Sequence, residues 1–169
     1  MLSQIRQPKK ENGFTIIEVL IVLAIAGLIM LVVFLAVPAL QRNSRNTQRT
    51  TDAGNILGAI SEFVGNNNGQ LPADGAVGGS GASLTIGAAG NNTIPVNLGY
   101  YAAEDVSITT YTGAGSTNST TTDSITVMRQ ASCSTGSIGQ PTTGTSRSVV
   151  ILYTLEGGGP DGSRQCRAS

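Results

Sequence analysis

Few side chains in this sequence have the type and spacing to do chemistry. The chain of 169 residues contains no histidine. That removes the commonest general base and metal ligand, and with it any Ser-His-Asp arrangement. Cys133 and Cys166 are the only cysteines. As a pair they could form a disulfide, stay free or share a metal, but without histidine they cannot close a structural zinc site. Glu156 and Asp161 flank Gly157-Gly158-Gly159-Pro160. They could offer oxygen ligands to a calcium ion, although the segment also reads as a flexible Gly-rich turn. These glycines precede no helix, so no phosphate-binding loop is indicated. Asn91-Asn92-Thr93 and Asn118-Ser119-Thr120 fit the N-glycosylation pattern, which chance supplies readily in an Asn/Thr-rich chain. Glu18 stands at the edge of an apolar run, after Phe14-Thr15-Ile16-Ile17. A carboxylate at the centre of a membrane helix costs roughly 2.5–3.5 kcal/mol, and less near the interface. Glu18 is therefore either a functional group or a residue at headgroup depth.

Composition narrows the classes further. Lys plus Arg total 10 and Asp plus Glu total 10, so the formal net charge is zero, and charged residues make up only 12%. Phosphate contacts need clustered Lys and Arg, so no nucleic-acid surface is expected. An ordinary catalytic domain is not expected either, and no cofactor or metal.

The elements that must position these residues begin with Val19 to Val37, nineteen consecutive apolar residues counting Ala and Gly. As a helix the run spans about 28 Å, close to the hydrocarbon thickness of a bilayer. It exceeds the apolar region of a secretory signal peptide, and no A-x-A site followed by a polar start comes after it. Arg6, Lys9 and Lys10 precede the run and Arg42, Arg45 and Arg49 follow it. Charge counting therefore leaves the orientation open.

The segment Gly13-Phe14-Thr15-Ile16-Ile17-Glu18, continuing through Ala26-Gly27, resembles the prepilin signature of type IV pilins and type II secretion pseudopilins. The resemblance covers about residues 1–64 well and the rest only in outline. It implies that residues 1–13 are a cytoplasmic leader and that a prepilin peptidase cuts between Gly13 and Phe14. It implies N-methylation of Phe14, and an assembly role for Glu18. Gly27 and Pro38 also match, Pro38 standing a few residues later than the usual proline. Asn12 precedes the cut where Lys is common. A glycine at the cut lets a peptidase approach the extended backbone closely. The implied orientation is leader inside and remainder outside the cytoplasm. In that setting Cys133 and Cys166 lie in an oxidising compartment, and the family's habit of stapling its carboxy-terminal region implies a disulfide between them.

After the leader, residues 14–40 are expected to form a hydrophobic membrane helix, which the resemblance makes an assembly helix too, and 41–65 its amphipathic continuation. Ala53, Ile56, Leu57, Ile60, Phe63 and Val64 follow helical spacing, with Asp52, Asn55, Ser61 and Glu62 between them. Gly54 and Gly58 weaken this helix by about 1 kcal/mol each relative to Ala, and their small size suits close approach by a sheet or a neighbouring subunit. Pro38 cannot donate a backbone hydrogen bond and should kink or loosen the helix. Gly65 and Asn66-Asn67-Asn68-Gly69 end it.

Residues 66–169 hold 17 Gly, 15 Thr and 13 Ser and are expected to form a β head, which the resemblance places outside the cytoplasm. Three runs read as strands: Val106 to Tyr111, Ser124 to Met128, and Ser148 to Leu155. The last should be central and lie against the helix stripe. Leu84 to Ile86 should pair at an edge, and 113–122 should be a long exposed turn. The fold expected is α+β, a long amino-terminal helix packed on a small antiparallel sheet with Gly/Ser/Thr-rich loops.

The resemblance implies a structural subunit, not an enzyme. It would polymerise through its amino-terminal helix into a type IV pilus-like filament for adhesion, twitching motility or DNA uptake. Its partners would be further copies of itself, a prepilin peptidase and a pilus or secretion assembly platform. It would reside in the inner membrane before assembly and on the cell surface afterwards. A type II secretion pseudopilin or a minor pilin is the alternative within the class. A single-pass membrane-anchored binding domain is the alternative outside it.

Overall fold

The computed structural model describes residues 13–87, 92–113, 123–136, 139–157 and 163–169. Four features expected from sequence lie wholly or partly outside these residues: the leader before Gly13, most of the turn at 113–122, both glycosylation patterns in part or whole, and Asp161. The chain divides into two units, residues 1–40 and 41–169.

One helix, α1, runs Ile16–Asn66 and contains Pro38. Within the first unit its large apolar side chains are exposed, from Ile16 at 81% to Leu40 at 66%. The stretch is long and apolar enough to cross a membrane.

The second unit contains the rest of α1 and nine strands among the described residues. The expected helix stripe is the packing face: Ala53, Ile56, Leu57, Ile60 and Phe63 are buried, while Asn55, Ser61 and Glu62 are exposed. Two charged residues on the same stripe, Arg49 and Asp52, are buried as well, each 1% exposed.

Strands β1 (Val77–Ser80), β2 (Ser83–Ile86) and β3 (Ile94–Asn97) form an antiparallel sheet in that order. The segment 84–86 is thus in the middle of a sheet and not at an edge. Leu84 and Ile86 are both wholly buried, and flanking strands supply partners on both sides. Close pairing of β1 with β2 depends on Gly79, whose φ is +110° and whose added Cβ would collide with the Ser83 carbonyl.

A second sheet has the order β4 (Val106–Thr110), β5 (Ile125–Arg129), β8 (Val149–Thr154), β9 (Arg164–Ala168). Between β5 and β8 in sequence, β6 (Ala131–Cys133) and β7 (Pro141–Thr143) pair with each other as a two-stranded ribbon. β8 is an inner strand, as its near-continuous apolar run requires. Its period of two divides it between two clusters. Val149, Ile151 and Tyr153 join the main core with the helix stripe. Val150 and Leu152 join Met128 and Ala131 in a smaller cluster on the other face.

The expectation of a wholly antiparallel sheet is also corrected. The second sheet is mixed, because β4 and β5 run parallel, with Val106 beside Ile125 and Thr110 beside Arg129. Parallel pairing is an arrangement that a tight hairpin turn cannot make.

Candidate functional site

The first site lies where α1 begins. Gly13, Phe14 and Thr15 precede the helix, and Ile16 opens it. The backbone N–H of Thr15 donates to Glu18 Oε2 at 2.8 Å, and the Thr15 hydroxyl donates to the same oxygen at 2.7 Å. In return the Glu18 N–H donates to Thr15 Oγ1 at 3.4 Å. This is a capping box, which satisfies amide groups that the first helical turn leaves without partners. The sequence signal is Thr-x-x-Glu ahead of an apolar run, a template that weighing Glu18 between a functional group and a headgroup-depth residue does not use. Both contacts use Oε2, so Oε1 has no partner among the described residues. Phe14, Glu18, Val19, Val22 and Leu23 line one shallow recess. The spacing of 14, 18 and 22 puts them on one face.

Among the described residues, no packing requires glycine at two positions of this unit. A Cβ added at Gly13 or Gly27 would meet nothing within 4 Å. Pro38 lies inside α1, where its ring nitrogen cannot donate to the carbonyl one turn back.

In the second unit the expected cysteine pair is bonded. Cys133 on β6 and Cys166 on β9 form a disulfide with Cα atoms 5.7 Å apart. It ties the β6–β7 ribbon to the outermost strand of the mixed sheet. Both residues also pack against the smaller apolar cluster.

Glu156 has a different position from that of a free cation ligand. Arg45 grips its carboxylate with two hydrogen bonds, Nε to Oε1 at 2.7 Å and Nη2 to Oε2 at 2.6 Å. Arg49 Nη2 reaches Oε1 at 3.0 Å. The hydrogen bond from Arg45, followed by its charge and that of Arg49, holds the Glu156 carboxyl below the usual carboxylate range against an opposing effect of desolvation. The backbone of Glu156 pairs with the Asn46 side chain through two further bonds of 2.8 and 3.0 Å. Among the described residues no group of three or more acidic or thiol ligands gathers.

Arg49 and Asp52 are the residues that sequence reasoning missed. Arg49 donates to the Thr154 carbonyl at 2.9 Å and to the Tyr100 hydroxyl, and faces Asp123 at 3.7 Å. Asp52 accepts three backbone N–H bonds: Gly99 at 2.8 Å on Oδ1, and Tyr100 at 2.8 Å and Tyr101 at 3.1 Å on Oδ2. The signal was available in position, not in hydrophobicity. Extended back by threes and fours from Ile56, the apolar stripe passes through 52 and 49.

No curated protein and no solved structure matched the chain. The prokaryotic N-terminal methylation motif matches residues 8–34, a stretch that contains the Gly13–Phe14 junction, the capping box and most of the apolar run. The chain therefore carries, at the start of α1, the signature of type IV pilins and pseudopilins.

Proposed function

We propose that this protein is a structural subunit, cleaved between Gly13 and Phe14 by a prepilin peptidase and methylated on the new amine of Phe14. It then polymerises through α1 into a type IV pilus-like filament. The methylation motif supports a pilin- or pseudopilin-like subunit in general terms, and the pilus-type filament is the reading favoured within that class. The observation that carries it is the exposed apolar surface of residues 16–40 directly behind a capped helix start. Such a surface needs lipid before assembly and other copies of itself afterwards. Gly13 and Gly27 fit the same reading, since no packing among the described residues demands glycine at either. An enzyme processing the junction and a neighbouring helix are the partners that would require them.

In this reading the subunit waits in the inner membrane with its β head outside the cytoplasm. An assembly platform then moves it into a surface filament that serves adhesion, motility or DNA uptake. The second carboxylate oxygen of Glu18, Oε1, is available for the methylated amine of an adjacent subunit. An unpaired carboxylate in a lipid-free helix bundle is costly. Mass spectrometry of sheared filaments tests the proposal. The expected amino terminus is methylated Phe14. A chain still bearing Met1 in the filaments overturns it.

A further inference from the structure

The face of α1 turned away from the sheets, together with the groove beside it, holds a charge of each sign without a side-chain partner among the described residues. Thr47, Thr51, Gly58 and Glu62 are exposed on the helix face, at spacings that hold them to one side. A Cβ at Gly58 would meet nothing within 4 Å, so packing among the described residues leaves this face open. Beside it lies a polar groove of about 410 Å³ lined by Thr47, Thr50, Thr51, Gly54 and Arg167, among others. Arg167 comes from β9, and its Nη1 is 3.5 Å from where a Gly54 Cβ would lie.

The groove has one strong donor. The hydroxyls of Thr47, Thr50 and Thr51 donate to carbonyls one turn back in their own helix. They can therefore accept but have no spare proton. The Arg167 side chain makes no hydrogen bond or ion pair among the described residues, while those of Arg45, Arg49 and Arg129 are each paired. A guanidinium with planar donors and no partner fits a carboxylate. Glu62, on the same helix face, is likewise without a partner among the described residues. It stands eight residues beyond Gly54, about 12 Å along the helix, too far to reach Arg167 of its own chain directly.

We infer that this face docks a second copy of the chain, with Glu62 of one copy seated in the groove against Arg167 of the next. The match is between two different patches, so each copy can use both at once. Such head-to-tail contacts exclude a two-fold dimer and, where the rotation does not close into a ring, build an open helical assembly. The inference rests on the filament reading above. It adds a head contact that fixes the stagger between neighbouring copies near the spacing of the two patches, about 12 Å along α1.

The test uses cells producing the full chain, with Glu62→Lys, Arg167→Glu and the double exchange. Each single reversal places like charges together, and filament yield should fall about tenfold or more, while the double exchange should return it to within about threefold of wild type. Amounts of processed, disulfide-bonded subunit in the membrane are measured alongside. If a reversed subunit fails to accumulate, Arg167→Lys filaments treated with a zero-length carbodiimide decide the matter. A cross-linked peptide joining Glu62 of one chain to the substituted position 167 of another supports the contact, and its absence from intact filaments overturns it. Full yield from the single reversals, or no recovery in the double exchange, also overturns it and leaves the filament reading standing. Absence of filaments from the wild-type chain overturns both.

Discussion

The guanidinium of Arg49 lies 4.2 Å from the centre of the Tyr100 ring, and Asp52, one turn further along α1, holds the backbone N–H of that same tyrosine. Cation and anion from one helix face thus grip one residue of the segment that follows β3. A buried cation over an aromatic face contributes up to about 2 kcal/mol when desolvated. The two charges position this segment against the helix, where apolar contacts alone would leave neighbouring offsets similar in energy.

Asp52→Asn keeps the shape of the side chain but sets an NH2 group against backbone donors. The expected loss is about 2–4 kcal/mol of stability, since hydrogen bonds to a charged acceptor contribute about 1.5–3 kcal/mol each and are not additive. Urea unfolding of the detergent-solubilised chain measures it. An unchanged midpoint would show that the three N–H contacts contribute nothing.

Tyr101→Phe should behave in the opposite way. The Tyr101 ring is buried and its hydroxyl has no hydrogen-bond partner among the described residues, and burial pushes its phenol well above the ordinary range. Removing an unsatisfied buried hydroxyl should leave stability unchanged or raise it by up to about 1 kcal/mol. A clear loss in the same unfolding assay would mean that the hydroxyl has a partner.

Glu156 should make the head sensitive to acid. Its folded pKa is depressed, chiefly by the Arg45 hydrogen bond. Its contribution is therefore complete above the unfolded carboxylate value of about 4.3 and lost as pH falls through the lower folded value. Thermal melts of wild type and Glu156→Gln should differ at neutral pH and converge on acidification. Parallel curves across that range would refute the coupling.

Cys133→Ser should destabilise the chain by about 3–4 kcal/mol on the chain-entropy account, given a sequence separation of 33. Losing the staple also opens the smaller cluster of Met128, Val150 and Leu152. The β6–β7 ribbon and β9 should therefore lose amide protection before β5 and β8 do. Hydrogen exchange under reducing and oxidising conditions would show whether that order holds.

The capping box separates two roles of Glu18. Thr15→Val removes one of the two donors to Oε2 and the acceptor of the Glu18 N–H, and N-cap loss costs about 0.5–2 kcal/mol of local helix stability. Filament yield should drop but not vanish. Glu18→Val should be inserted and cleaved normally and yet fail to enter filaments, with partial rescue when mixed with wild type. Equal defects in both variants would reduce Glu18 to a helix cap.

Much of this was legible in the sequence because it is local. Nineteen apolar residues need only counting, and the stripe from Ala53 to Phe63 follows from 3.6 residues per turn. The Val149–Thr154 strand announces its burial because a strand covered on both faces cannot alternate. The capping box was equally local and needed only the right template. Arg49 and Asp52 were different. Polarity argued for solvent, and only the arrival of Tyr100, Thr154 and Glu156 from distant parts of the chain gave two buried charges their partners. The parallel pairing of β4 with β5 and the central place of β2 were decided the same way. A strand's own residues state how many of its faces are buried. Its neighbours and their direction depend on which other strands compete for its edges, and that competition is settled only when the whole sheet closes over the helix.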